Sequence, residues 1–258
     1  MHTTDSADGT PIAYEVFGDG PAVVIVNGAL SQASDATGLA QALADAGFRG
    51  VAYDRRARGS SGDAPGSTPE REAEDLAAVI DAVGGTTAVL GHSSGAVLAL
   101  YAAARGVDTG ALFLSEPPLR FGIDEPPSDL AERLQRFVDE GRPDDAIVTF
   151  QLEGVGLPEQ MVEAFRQSNQ FAAVLPLAQS TVYDTNLVNA SSVPSAEMLS
   201  VPVPVTILRG EQTFPMLITA ADRLADEMAG AELVIVPESV MHRPDPVATV
   251  RVVSERLG

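Results

Sequence analysis

The stretch Ala88-Val89-Leu90-Gly91-His92-Ser93-Ser94-Gly95-Ala96-Val97-Leu98-Ala99-Leu100-Tyr101 carries three local patterns in direct succession. An apolar strand, Ala88–Leu90, runs into Gly-x-Ser-x-Gly, and a small-residue helix, Ala96–Tyr101, follows at once. A serine at the tip of a tight strand-to-helix turn needs small neighbours, because a β-carbon at 91 or 95 would meet adjacent backbone. The same turn aims the free N–H groups of the helix start at an oxyanion forming on an attacked carbonyl. Ser93 is therefore the candidate nucleophile. The bland alternative is an ordinary strand–helix connection with incidental serines.

Outward from this turn, strands and helices alternate. Ala22–Val26 is an unbroken apolar run, the pattern of a strand covered on both faces, and it ends in Asn27-Gly28-Ala29-Leu30. A helix with apolar positions Leu39, Ala42, Leu43 and Ala46 stops at Gly47. Gly50–Asp54 is a short strand leading into the polar loop Arg55–Asp63. Thr68 and Pro69 open the next helix, with Leu76, Val79, Ile80 and Val83 on one stripe. Ala111–Leu114 is a further strand, closed by Pro117-Pro118. Gly9–Gly18 reads as a short antiparallel hairpin or edge ribbon, and His2 lies at a terminus expected to fray.

From 120 to 199 the rhythm changes to amphipathic helices, around Leu130–Val138, Ala146–Phe150, Glu159–Gln167 and Phe171–Thr181. The strand–helix alternation then returns with Val203–Leu208, Ile218–Ala229, Leu233–Val236 and a last helix from Val247. The fold class is α/β, a doubly wound and mostly parallel sheet. Residues 1–119 and 200–258 form its core, and residues 120–199 form an inserted helical cap.

A serine nucleophile needs a base, and the chain has three histidines. His92 stands inside the turn with its side chain expected to face away from Ser93, a structural role. His242 follows the late strand Leu233–Val236 after a short loop. That places it at the carboxyl edge of the sheet, where open α/β sheets bind ligands, and makes it the candidate general base.

Composition narrows the chemistry further. The formal charge is −20, and a nucleic acid or an anionic membrane would repel such a surface. All 16 basic residues are arginine, so Schiff bases, a phosphate-loop lysine and a Ser–Lys dyad are excluded. Cysteine is absent, which excludes disulfides and thiolate catalysis. There is no histidine cluster for zinc and no Gly-x-Gly-x-x-Gly after a strand, so no metal or organic cofactor is expected. The first residues lack a basic and apolar leader, and the expected location is cytoplasmic. The expected partner is a small-molecule substrate, and the expected state is a monomer or homodimer.

Over nearly its whole length the chain resembles the α/β-hydrolase family. The matching pieces are the Asn27-Gly28 turn, the Tyr53–Ser61 loop, the Gly91–Gly95 elbow, the inserted helices and the late His242. It looks most like small bacterial esterase-like members with a Gly-His-Ser-Ser-Gly elbow and a Glu-Pro-Pro step. The resemblance implies Ser–His–acid catalysis with an oxyanion hole formed by the backbone N–H groups of Ala29 and Ser94. Asn27 stands where many relatives have histidine. Most relatives also carry the acid three residues beyond the glycine matching Gly210, where this chain has Thr213. Glu116, at the end of strand Ala111–Leu114, is the favoured substitute. Glu211 and the absence of any functional acid are the alternatives.

Leu30, Phe214, Met216 and Met241 are candidates to line a substrate pocket. Many bulky side chains fall in the cap, at Phe137, Phe150, Met161, Phe165, Phe171 and Tyr183; its Phe and Met residues could line the substrate pocket, but their helical spacing favours the cap's own core. Arg55, Arg56 and Arg58 could bind a substrate carboxylate, but bracing the loop and the acidic surface is the preferred role. The expected activity is hydrolysis of a carboxylic ester, lactone or thioester of a small to medium apolar molecule. A cofactor-free lyase using the same Ser–His pair, and a non-catalytic binding protein motivated by Thr213, are the competing readings.

Overall fold

Strand β3 (Ala22–Val26) is buried at every position, as an unbroken apolar run requires when helices cover both faces of a sheet. The computed structural model describes residues 1–258. It places β3 inside an eight-stranded sheet with β1 (His2–Asp5), β2 (Pro11–Phe17), β4 (Arg49–Tyr53), β5 (Ala88–His92), β6 (Ala111–Ser115), β7 (Val205–Arg209) and β8 (Glu232–Ile235). The strand order is β1-β2-β4-β3-β5-β6-β7-β8. β1 and β2 pair antiparallel at one edge, and β3 to β8 are parallel. The terminus expected to fray is instead strand β1: His2 pairs with Tyr14, and the two rings stack 5.3 Å apart.

The register brings the strand ends to one line. Val26 lies beside Gly91, His92 beside Ser115, and Ser115 beside Leu208. The loops that begin at Asn27, Ser93, Glu116 and Gly210 therefore leave the sheet side by side. The order reverses between β3 and β5, so the loops after these two strands open a crevice at the switch point.

Helices α1 (Thr37–Asp45), α2 (Pro69–Ala82) and α3 (Ser94–Ala104) follow β3, β4 and β5. One face of the sheet packs Val24, Val89, Leu112 and Ile207 against α2 and α3. The other packs Ile25, Leu90 and Phe113 with Leu43 of α1. Residues 130–199 between β6 and β7 contain no strand. They form α4 (Leu130–Asp139), α5 (Pro143–Thr149), a π-helical turn (Phe150–Val155), α6 (Glu159–Arg166), α7 (Phe171–Val174), α8 (Ala178–Ser191) and α9 (Ala196–Leu199). α10 (Pro215–Glu227) and α11 (Pro246–Leu257) complete the chain. No helix is long and apolar enough to cross a membrane.

The insertion has its own apolar cluster, in which Leu130, Ile147, Phe150, Phe171 and Tyr183 are buried together. Phe137 and Phe165 pack against it, whereas Met161 is exposed. It is also stitched to the sheet, because Leu187 of α8 and Met198 of α9 belong to the large core cluster with Leu119 and Phe121. The helix expected over Phe171–Thr181 is broken. A 3-10 turn at Leu175–Leu177 surrounds Pro176, which cannot donate to a helical ladder, and α8 then runs on to Ser191. α8 is buried on nearly every side, at Ala178, Ser180–Thr185, Leu187 and Ser191, so it shows no apolar stripe. Three of its hydroxyls turn back on the local backbone: Ser180, Thr181 and Thr185 donate to the Leu177, Ala178 and Thr181 carbonyls at 2.7 Å.

Gly95 shows how tightly α3 is seated. A β-carbon there would stand 2.1 Å from the Val26 carbonyl oxygen, a backbone atom of a central strand. Gly95→Ala is expected to cost about 3 kcal/mol or more. In a domain of this size that is a fall in Tm of roughly 6–12 °C, measured by thermal unfolding. An unchanged Tm would contradict this packing.

Candidate active site

The turn after β5 holds Ser93 at φ 55°, ψ −127°, a strained conformation for a residue with a side chain. Two observations show what maintains it. The Ser93 N–H donates to the Ser115 carbonyl at 2.9 Å. Gly91 leaves no space either, since a β-carbon there would lie 2.5 Å from Ala96 Cα. The loop after β3 closes over the same serine: a β-carbon on Gly28 would be 2.9 Å from Ser93 Cβ. The Ala29 N–H makes no hydrogen bond within the chain. Ser94 is the first residue of α3, where N–H groups have no intrahelical acceptor. Two free backbone donors thus flank Ser93.

His242 and Glu116 come together from loops far apart in sequence. His242 Nδ1 lies 2.5 Å from Glu116 Oε2. Glu116 is buried at the end of β6, and its backbone is held in the left-handed region at φ 49° while its N–H donates to Leu208 O. Its carboxylate takes two further donors, Gly210 N–H at 2.8 Å on Oε1 and Thr213 Oγ1 at 3.1 Å on Oε2. Burial acts to raise its pKa, but the hydrogen bonds from His242, Gly210 and Thr213 outweigh it and hold the carboxyl below its ordinary value. Thr213 therefore donates to the same carboxylate oxygen that His242 contacts. Glu211 is exposed and makes no such contact. Positive φ recurs in this small region, at Leu30, Ser93, Glu116, Met241 and His242. Such strain persists only where the surroundings over-determine it.

His92 packs beside His242. Its ring centre is 4.5 Å from that of His242, tilted by 42°. Its Nδ1 is buried without a partner. Burial and the neighbouring His242 push its pKa down to about 3, so it presents a neutral ring to His242.

The remaining candidates are distributed unevenly. Leu30 packs against the apolar cluster of the insertion. Phe214 is partly buried just before α10. Met216 is accounted for by core packing: it stands four and eight residues before Ala220 and Leu224 on the helix face that covers the sheet. Met241 is 53% exposed beside His242. Arg55, Arg56 and Arg58 lie in the interior, not at the surface they were expected to brace. Arg55 pairs with Glu72 and Asp184, Arg56 with Asp75 and Asp8, and Arg58 with Asp184. Asp184 is the member of this group that sequence reasoning missed. The available signal was its isolation, as the only charged residue between Arg166 and Glu197. No cluster of three or more His, Asp or Glu side chains is arranged to hold a metal ion.

Residues 23–251 match the alpha/beta hydrolase family. The chain belongs to that family. A solved alpha/beta hydrolase from Sphaerobacter thermophilus DSM 20745 is 39% identical, with a TM-score of 0.92 and full coverage of both chains. An esterase from Exiguobacterium antarcticum shares the fold at 21% identity and TM-score 0.71, over 99% of this chain and 97% of that one. The enol-lactonase from Burkholderia xenovorans LB400 does so at 18% and 0.64, over 98% and 97%. None of the curated sequences compared with the chain matched it. Membership and fold both agree with a hydrolase.

His92 and Glu116 make stability depend on pH in separable windows. His92 has its ordinary value of 6.5 in the unfolded chain and about 3 when folded, so the unfolded state binds the extra proton and stability falls from pH 6.5 downward. Glu116, with a depressed folded value, contributes stability above about 4.5 that is lost as pH falls further. Tm measured from pH 7 to 5 is expected to fall less steeply in His92→Gln than in the parent. Parallel curves would contradict the neutral state of His92.

Proposed function

We propose that the protein is a serine hydrolase that cleaves a carboxylic ester, lactone or thioester of a small to medium apolar molecule through an acyl-enzyme on Ser93. The observation that carries this reading is the 2.5 Å contact between His242 Nδ1 and Glu116. It ties Nδ1 to a carboxylate, fixes the tautomer, and leaves Nε2 as the basic nitrogen for the Ser93 hydroxyl.

In this reading, Ser93 Oγ attacks the carbonyl carbon as His242 takes its proton. The tetrahedral oxyanion is held by the Ala29 and Ser94 N–H groups, each such donor typically contributing roughly 3–4 kcal/mol. The imidazolium, stabilised by Glu116, gives its proton to the leaving alcohol, thiol or lactone oxygen as the carbon–oxygen or carbon–sulfur bond breaks. His242 then deprotonates a water that attacks the acyl-serine, and the carboxylic acid leaves with Ser93 regenerated. The helical insertion serves as the cap of the site, with Leu30, Phe214 and the exposed Met241 next to the substrate. The names of the esterase and the enol-lactonase of similar fold agree with ester and lactone substrates.

Turnover of a p-nitrophenyl ester series of increasing chain length provides the test. The parent is expected to release both acid and phenol, and Ser93→Ala to fall to the buffer rate. Glu116→Gln is expected to lose about 10⁴-fold in kcat, the scale seen when a triad acid is neutralised. A folded parent inert to esters and lactones alike would overturn the proposal, as would an unaffected Glu116→Gln.

A further inference from the structure

Behind the free donors next to Ser93 lies a buried cluster of two arginines and two acids. Arg55, Arg58, Glu72 and Asp184 are each no more than 2% exposed, and their formal charges sum to zero. Arg58 Nη1 donates to the Gly28 carbonyl at 2.5 Å, and Arg55 Nη1 donates to the Asn27 carbonyl at 3.2 Å. Asp184, which reaches in from α8 of the insertion, accepts from Arg55 at 2.9 Å, from Arg58 at 2.7 Å and from Ser94 Oγ at 2.7 Å. One carboxylate thus holds both segments that present the free N–H groups.

Peptide geometry gives this arrangement a direction. The Gly28 carbonyl and the Ala29 N–H belong to one planar trans unit and point opposite ways. A guanidinium fixed on the carbonyl therefore aims the N–H away from itself. The charge also polarises the amide, which strengthens its N–H as a donor. Arg58 can stay charged and fixed in a dry interior only with a partner, and Asp184 supplies that partner from the insertion.

We propose that Arg58 and Asp184 are positioning residues that orient and polarise the Ala29 oxyanion donor, so that the donor is set only when α8 is docked. This rests on the hydrolase reading above, and it adds that the insertion controls the rate of acyl transfer as well as access. Neither residue touches the reacting atoms.

The decisive comparison is between two buried ion pairs. Asp184→Asn alone leaves an uncompensated guanidinium and risks unfolding, so the principal variant is the double change Arg58→Met/Asp184→Asn. It leaves Arg55 paired with Glu72 and the cluster neutral. The control is Arg56→Met/Asp75→Asn, which removes a similar buried pair that makes no contact with residues 27–29 or 93–94. The first double variant is expected to lower ester kcat by about 10- to 100-fold with KM within about twofold, a fraction of the loss from deleting one oxyanion donor. Its affinity for an alkyl boronic acid, a tetrahedral mimic, is expected to fall in parallel. The control is expected to keep kcat within about twofold. Equal kcat values, or a loss of the same size in the control, would overturn the proposal.

Amide hydrogen exchange of the peptide spanning 27–31 supplies a readout independent of activity. It is expected to speed up in the first double variant and not in the control. A parent that neither turns over esters nor reacts with a fluorophosphonate would overturn the hydrolase reading, while faster exchange at 27–31 would still support the tether. Unchanged exchange would overturn the tether itself.

Discussion

At Gly91 and Gly95 the chain has no room for a β-carbon, and the placement of the site follows from that exclusion. β5 must turn into α3 within a few residues while α3 lies against the Val26 and Asn27 carbonyls at the end of β3. Ser93 takes up the turn in a backbone state that costs on the order of 1–3 kcal/mol. The expense is met by α3, which is buried from Ser94 to Ala103 and anchors the turn to the core. Close approach of β3 and α3 also brings Gly28 against Ser93. The crevice at the switch point therefore holds the Ser93 hydroxyl close to two backbone N–H groups that have no acceptor within the chain.

Electrostatics in the site are arranged around one buried carboxylate. With threonine at 213, the carboxylate beside His242 comes from the end of β6, one strand nearer the elbow. The register of β6 with β7 brings Glu116 to the Gly210 N–H and the Thr213 hydroxyl. A carboxylate that accepts three hydrogen bonds in a mostly dry setting remains ionised and can orient an imidazole. His92 complements this as a neutral ring against His242, since a second cation there would oppose any positive charge on His242. The buried Arg55–Arg58–Asp184 cluster works at longer range, through peptide planes, with no contact to the reacting atoms.

Sequence patterns made much of this visible, for identifiable reasons. The elbow was legible because its constraint is steric and local: small residues at fixed offsets between an apolar strand and an Ala-rich helix. β3 was legible as an unbroken apolar run, and His242 as a lone histidine after a late strand. The choice among Glu116, Glu211 and no acid stayed open, because it depends on the register between two strands about ninety residues apart. α8 was cut short because burial on nearly all sides removes the apolar stripe by which helices are recognised. Asp184 and the interior position of Arg55 and Arg58 were lost with it. A loop rich in arginine reads as surface until its acidic partners, on α2 and α8, are brought beside it.

In the proposed reaction Ser93 becomes covalently acylated. Intact-protein mass spectrometry after acid quench of a slowly turned-over ester, followed by peptide mapping, tests it most directly. A mass increase equal to one acyl group is expected, located on Ser93 and absent from Ser93→Ala. Turnover of the same ester with no adduct, or with the adduct on another residue, would contradict it.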